Sequence, residues 1–303
     1  MLKYRRIFFA FSGFLVAASI ASLILFGLNF GIDFTGGSLL EIKTDGEQIA
    51  IENILESEKN LNLGDVRVQR TEEGSFLIRM RDVSQEEYEK ILEILKASDA
   101  ASTDNGIETG IKELRFESIG PVIGSELKQK AVWQIFLVVA GITLYIAFAF
   151  RKVSKLKEKS KISWKFGISA LVALIHDVTI TTGVFAILGK FLKVEIDSSF
   201  VAAILLVLGY SVNDTIVVFD RIRENLIHHK YSLNLEHIIN SSIRQTLMRS
   251  INTSLTVLLV LFSLLIFGSA SIFYFTLALT IGIAVGTYSS IFIASALLYE
   301  WEK

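Results

Sequence analysis

Six long apolar runs constrain this chain more than any other feature of it. They lie at about 7–29, 130–150, 166–189, 199–219, 251–268 and 272–298. A run of roughly 18 or more apolar residues is long enough to cross a bilayer as a helix. The first run follows Lys3, Arg5 and Arg6, a pattern shared with secretory signals. It continues through Leu23, Ile24, Leu25 and Phe26, past the small residues Ser19 and Ala21, and reads as an uncleaved anchor. Runs of this length, separated by blocks of charge, exclude an ordinary water-soluble enzyme and an intrinsically disordered chain. The chain has no cysteine, which excludes disulfides, thiolate metal sites, iron–sulfur clusters and a cysteine nucleophile.

Lys and Arg set the expected orientation. The segment 151–165 carries Arg151, Lys152, Lys155, Lys157, Lys159, Lys161 and Lys165, and 220–250 adds Arg221, Arg223, Lys230, Arg244 and Arg249. The connections near 190–198 and 269–271 carry almost none. With 151–165 and 220–250 as cytoplasmic loops, both termini are cytoplasmic and residues 30–129 lie outside. The outer segment holds 21 acids and 11 bases, a net charge of about −10. Long translocated domains escape the charge rule, so this does not conflict with the orientation. The basic block is a topology signal, and a second role in docking anionic membrane lipid or a cytoplasmic partner stays open.

The outer segment has its own pattern. Ser38–Thr44 alternates like a strand, and Glu47–Glu58 places Ile49, Ile51, Ile54 and Leu55 at helical spacing. Val66–Thr71 and Ser75–Val83 read as two strands joined at Glu72–Glu73–Gly74. Ser84 with Glu87 three residues on forms a capping box for a helix whose apolar face is Tyr88, Ile91, Leu92 and Leu95. Lys112–Ser118 reads as a last strand. The order β-α-β-β-α-β is that of a ferredoxin-like split fold. The expected fold is therefore a polytopic α-helical membrane protein: six transmembrane helices and one extracytoplasmic α+β ferredoxin-like domain between spans one and two. The expected divisions are 1–29, 30–129 and 130–303.

A charged side chain at the bilayer centre costs at least about 2.5–3.5 kcal/mol, so each one needs a reason. His176–Asp177 sits near the middle of the third span, with Ala173 and Thr181 in register with Asp177. A proton relay and a neutral hydrogen bond between helices are both open readings. Asn213–Asp214 lies one to two turns from the cytoplasmic end of the fourth span, with Tyr210 and Ser211 on one side of it. Asp214 must be protonated, paired or in contact with water. Arg249 precedes the fifth span, which opens with Asn252, Thr253, Ser254 and Thr256. It reads either as an inside-positive anchor or as the partner of Asp214. Thr276, Thr280, Thr287, Gly282 and Gly286 in the sixth span read as close helix packing.

Three stretches complete the pattern. The first span ends in Gly31-Ile32-Asp33-Phe34-Thr35-Gly36-Gly37. The second is preceded by Ile119-Gly120-Pro121-Val122-Ile123-Gly124-Ser125. The fourth ends in Gly209-Tyr210-Ser211-Val212-Asn213-Asp214 and continues to Asp220-Arg221-Ile222-Arg223-Glu224-Asn225. In order, and over the whole chain, they make it resemble the SecF family of bacterial protein-export membrane proteins, within the resistance-nodulation-division superfamily. The resemblance implies a multi-pass protein of the cytoplasmic (inner) membrane that works with SecD. It would use the proton-motive force to promote late translocation of unfolded secreted polypeptides through the SecYEG translocon. It implies that Asp214 is central to proton flow and that Arg249, or failing it Arg244, acts with it. Asn213 and Asp177 complete the expected proton-conducting set. Gly31, Asp33, Gly36, Gly37, Gly120, Pro121, Gly124, Asp220 and Arg221 are the motif positions.

No cofactor, metal, nucleic acid or enzymatic activity is expected. A half-size proton-driven exporter of small molecules or lipids is the alternative, and the short outer segment argues against it. An intramembrane aspartyl protease would need two carboxylates sharing a proton, and the Gly-x-Gly-Asp and Pro-Ala-Leu signatures of that family are missing. A purely structural subunit would account for the packing residues but leave Asp214 unexplained.

Overall fold

The computed structural model describes residues 2–43, 62–64, 66–70, 74–101, 111–151, 162–229 and 234–302. They form two compact units, one of residues 1–29 with 131–303 and one of residues 30–130. A backbone in lipid has no water to bond, so each span must close its hydrogen bonds within itself, as a helix does. Six helices among the described residues are long and apolar enough to cross a membrane. The first, α1 (Arg5–Phe26), ends at Gly27, whose φ of 68° breaks the helix while its N–H still bonds Leu23 O.

The second unit opens on the glycine motif. Gly31 caps α2 (Ile32–Thr35), accepting from the N–H groups of Phe34 and Thr35. Three strands follow: β1 (Gly37–Lys43), β2 (Arg67–Arg70) and β3 (Ser75–Met80). Then come helix α3 (Gln85–Ala101) and strand β4 (Lys112–Ile119). The sheet order is β2-β3-β1-β4, with every pairing antiparallel. This is the order of a ferredoxin-like split fold. The predicted helix Glu47–Glu58 and most of the hairpin turn lie outside the described residues.

Alternation in the strands buries one face. Leu40, Ile42, Phe76, Ile78 and Met80 pack with Tyr88, Ile91 and Leu95 of α3. Tyr88 stacks on Phe116 at 4.0 Å; its burial, with Glu113 alongside, pushes the phenol up to about 12. The capping box forms: Glu87 N donates to Ser84 Oγ (3.3 Å) and Ser84 N to Glu87 Oε2 (2.9 Å). Arg81 also pairs with Glu87. The bond from Arg81, reinforced by the Ser84 N–H, holds the Glu87 carboxyl down at about 2.

The remaining spans are α4 (Pro121–Ala149), α5 (Ile162–Leu192), α6 (Ser198–His229) and α7 (Leu235–Phe267). After them α8 (Ala270–Ser289) passes through a π-turn (Ser290–Ala294) into α9 (Ser295–Glu302). Several helices outrun the apolar stretches that announced them. Pro121 is the first residue of α4, where its missing N–H costs nothing, so the Gly120–Gly124 motif lies at the helix start rather than before it. The segment read as a loop at 220–250 is helical over 220–229 and 235–250. Apolar length reports what lipid would cover, whereas a helix continues into polar sequence while its backbone bonds are satisfied. Asn234 caps α7 by accepting from Glu236 N (3.0 Å).

Candidate functional site: two buried carboxylates in the helical unit

Close packing comes first, because it brings hydroxyls to the carboxylates. A Cβ on Gly282 would run into the Val207 side chain, and one on Gly286 would meet Ser211 Cβ at 2.9 Å. The Gly282-x-x-x-Gly286 stripe of α8 therefore lies directly on α6, as small residues at helix interfaces permit.

Asp177 of α5 is fully buried (0 % exposed) and is held by three side chains. Ser211 Oγ of α6 donates to its Oδ2 at 2.6 Å, and Ser289 Oγ of α8 to the same oxygen at 2.9 Å. His176 Nδ1 lies 2.9 Å from Oδ1. Thr181 turns back to the Asp177 carbonyl (2.8 Å). Behind Ser211, Ser290 Oγ donates to the Ser211 carbonyl (3.1 Å) and lies 2.8 Å from Thr215 Oγ1.

Asp214 sits three residues beyond Ser211 on α6 and is 4 % exposed. It accepts from Ser254 Oγ of α7 at 3.3 Å. Ser254 also receives Thr287 Oγ1 of α8 (2.7 Å) and Tyr210 OH (3.4 Å). The two carboxylates thus have separate hydroxyl shells that share helices α6 and α8.

The other expected site residues divide. Arg249 is exposed and within electrostatic reach of Asp214. No ion pair joins the two among the described residues. Asn213 faces outward next to the buried Asp214, because successive helical residues point about 100° apart. Arg244 is exposed as well. Asp220 pairs with Arg223 (2.8 Å) and Arg221 with Glu224 (2.6 Å). Asn225 donates to Ser242 Oγ (2.8 Å), so this motif ties α6 to the first turns of α7.

The glycine motifs meet within the smaller unit. A Cβ on Gly36 (φ +73°) would lie 2.7 Å from Pro121 Cα, and one on Gly124 would lie 2.8 Å from Gly36 N. Gly37 (φ +127°) is pressed against Met80 O. Asp33 is in the first turn of α2, and Gly120 faces Asp82. Ser118 Oγ donates to Asp82 Oδ1 (2.7 Å) and lies 2.7 Å from Ser38 Oγ, which accepts from Val83 N (3.1 Å).

Sequence reading did not single out Ser289 and Ser290. The available signal was a pair of adjacent hydroxyls, Ser289 and Ser290, directly after Thr287 and Tyr288 in the sixth span. Among the described residues no group of three or more His, Cys, Asp or Glu could hold a metal ion.

Comparison with known proteins places these features in context. Residues 100–303 match the family described as protein export membrane protein SecD/SecF, C-terminal, and residues 21–47 match the SecD/SecF GG motif. The chain is 40 % identical over 315 aligned residues to a protein translocase subunit SecF of Thermobaculum terrenum, covering 100 % of this chain and 94 % of the relative. It is 34 % identical to the protein translocase subunit SecDF of Bacillus subtilis, covering 98 % of this chain and 37 % of the relative. The crystal structure of SecDF from Thermus thermophilus, a translocon-associated membrane protein, superposes with a TM-score of 0.80 at 32 % identity. That match covers 99 % of this chain and 38 % of the solved one.

Proposed function

Because this chain belongs to the SecD/SecF family of protein-export membrane proteins, we propose that it is an auxiliary, proton-driven subunit of the Sec translocation machinery. It sits in the cytoplasmic (inner) membrane with both termini cytoplasmic and residues 30–129 outside. It works beside SecD and the SecYEG translocon and promotes late translocation of unfolded secreted polypeptides. It carries out no covalent chemistry of its own.

The single observation that carries this reading is Asp214. A carboxyl buried in an apolar span, bonded by the Ser254 hydroxyl with that of Ser250 beside it, is costly unless its charge can be discharged. Beside it the chain leaves polar side chains exposed in apolar helices: Asn213 on α6, and Arg249 and Asn252 on α7. Lipid cannot satisfy them. A second polytopic chain with polar side chains of its own can, and a separate SecD is the fitting occupant. The match to the Bacillus subtilis protein named SecDF covers 98 % of this chain and 37 % of that relative, which supports SecD as the neighbour.

Protons then pass by Asp214, with Asn213 and Arg249 at the seam between the chains and Asp177 deeper in. Arg249 needs no permanent ion pair for this. It approaches the carboxylate when Asp214 is ionised and is released when the proton arrives. One proton falling through about 100 mV releases roughly 2.3 kcal/mol, enough to bias a two-state outer domain.

The test is export of a slow-folding secreted reporter in cells relying on this chain, as wild type and Asp214→Asn, with and without an uncoupler. The expected result is that the substituted chain, at equal membrane abundance, loses the uncoupler-sensitive part of export. Unchanged, fully uncoupler-sensitive export by Asp214→Asn would overturn the reading.

A further inference from the structure

We propose that His176 and Asp177 form one enclosed proton-binding unit, separate from the Asp214 seam, in which His176 passes the proton and Asp177 stores it. This deepens the proton-driven reading above and rests on it.

Four observations converge. Asp177 is fully enclosed, unlike Asp214, whose helix neighbour Asn213 is open to the outside of the chain. Three side chains from three helices meet its two oxygens: His176, Ser211 and Ser289. His176 is itself 6 % exposed, and its Nε2 has no hydrogen-bond partner among the described residues. Buried polar atoms of this kind are rare and call for an explanation. Finally, Ser289 and Ser290 stand where α8 passes into a π-turn. Two consecutive hydroxyls are thereby both buried and both bonded, one to Asp177 and one to the Ser211 carbonyl. Single π-turns within helices are frequent at functional positions.

The proton arithmetic follows from the contacts. With Asp177 ionised, the neutral imidazole carries its hydrogen on Nδ1 and donates it to Oδ1, while the two serines donate to Oδ2. The carboxylate then accepts three bonds, and Nε2 presents a lone pair. A proton arriving at Nε2 forms an N–H bond there. The Nδ1 hydrogen moves to Oδ1, which donates back to Nδ1. The ring has one hydrogen before and after, and the net gain of one proton resides on Asp177. Nε2 is thus acceptor in one state and donor in the other.

The surroundings suit this exchange. From α8 the Tyr288 ring faces His176 with centroids 6.4 Å apart. Its hydroxyl accepts from Ser12 of α1 (3.4 Å) and donates to Phe8 O (3.2 Å). From α6 come Ser211 and, three residues on, Asp214, which is bonded to Ser254 instead. Among the described residues no Lys or Arg pairs with Asp177. The state of the unit is therefore set by its own proton and by the serines that clasp it.

The experiment is nitrogen NMR of the full chain in lipid bilayers, labelled at histidine. The other three histidines are substituted (His228→Asn, His229→Asn, His237→Asn), leaving His176 as the single signal. The expected result is a switch of the protonated nitrogen from Nδ1 to Nε2 on acidification. An infrared carboxylic-acid band should appear at the same midpoint, and both should vanish in Asp177→Asn. A single unchanging tautomer with no carboxylic-acid band overturns the proposal. Should the substituted chains fail to fold, the infrared difference spectrum of the unsubstituted chain decides. There the imidazole marker and a deuterium-sensitive carboxylic-acid band must titrate together, and a spectrum without them overturns the proposal equally. The readout contains no translocation step. A failed Asp214 export test would therefore count against the function alone.

Discussion

Gly124→Ala tests the interlock of the two glycine motifs. In an ordinary helix interior this change is favourable by roughly 0.5–1 kcal/mol, because alanine loses less backbone entropy than glycine. Here the new methyl would lie 2.8 Å from Gly36 N, 3.2 Å from Phe34 C and 3.4 Å from Gly36 Cα. All three are backbone atoms, so no side chain can rotate away. Gly36 cannot retreat easily either: it holds φ +73° and faces Pro121 Cα. Relief requires α2 and α4 to separate by several tenths of an ångström, and overpacking of this kind costs about 1–3 kcal/mol. The net expectation is destabilisation by about 0.5–2 kcal/mol, or roughly twofold to thirtyfold faster opening of the unit. Amide hydrogen exchange of the full chain in bilayers reads this at Leu40 and Ile42, which lie in the core of the sheet. Gly141→Ala on the same helix is the control, since nothing lies within 4 Å of its Cβ position. It should leave these amides unchanged. Protection in Gly124→Ala equal to or above that of the unsubstituted chain would refute the interlock.

Three further expectations concern other contacts. Gly282→Ala should weaken the α6–α8 crossing by about 1–3 kcal/mol, because its methyl enters the space of Val207; thermal unfolding in detergent would show it, and an unchanged midpoint would count against direct packing. Ser211→Ala removes a donor from buried Asp177 and should cost about 1–3 kcal/mol, read in the same unfolding experiment. Glu87 carries a pH dependence. Its folded value of about 2 lies below its ordinary 4.5, so its stabilisation is complete above about 4.5 and is lost as pH falls towards 2. Glu87→Gln should flatten the dependence of α3 stability in that window, and an identical acid profile in both chains would contradict the assignment.

Much of this protein is legible in one dimension. The six spans follow from apolar length, because lipid leaves a backbone no alternative to internal hydrogen bonds. Ser84 and Glu87 announce a capping box, and it forms between residues three apart. The alternation of β1 and β3 and the helical spacing of Tyr88, Ile91 and Leu95 select the same core. Each of these signals is local, since helix and strand periods are properties of neighbouring residues.

Tertiary structure decided what the costly residues touch. Asp177 meets Ser211, 34 positions away, and Ser289, 112 positions away. Nothing in the period of either helix forecasts those meetings. They depend on where Gly286 lets α8 approach α6 and on the π-turn that follows. Arg249 lies within α7, just before its apolar stretch, and the structure sets Ser254, one to two turns on, against Asp214. Asn213 and Asp214 are adjacent in sequence and differ by about 100° in direction, so one is exposed and the other buried. Sequence alone determined that these side chains lie in apolar helices. Helix crossing decided their partners, because a contact between spans is set by the rotation and separation of two packed surfaces, which no local pattern encodes.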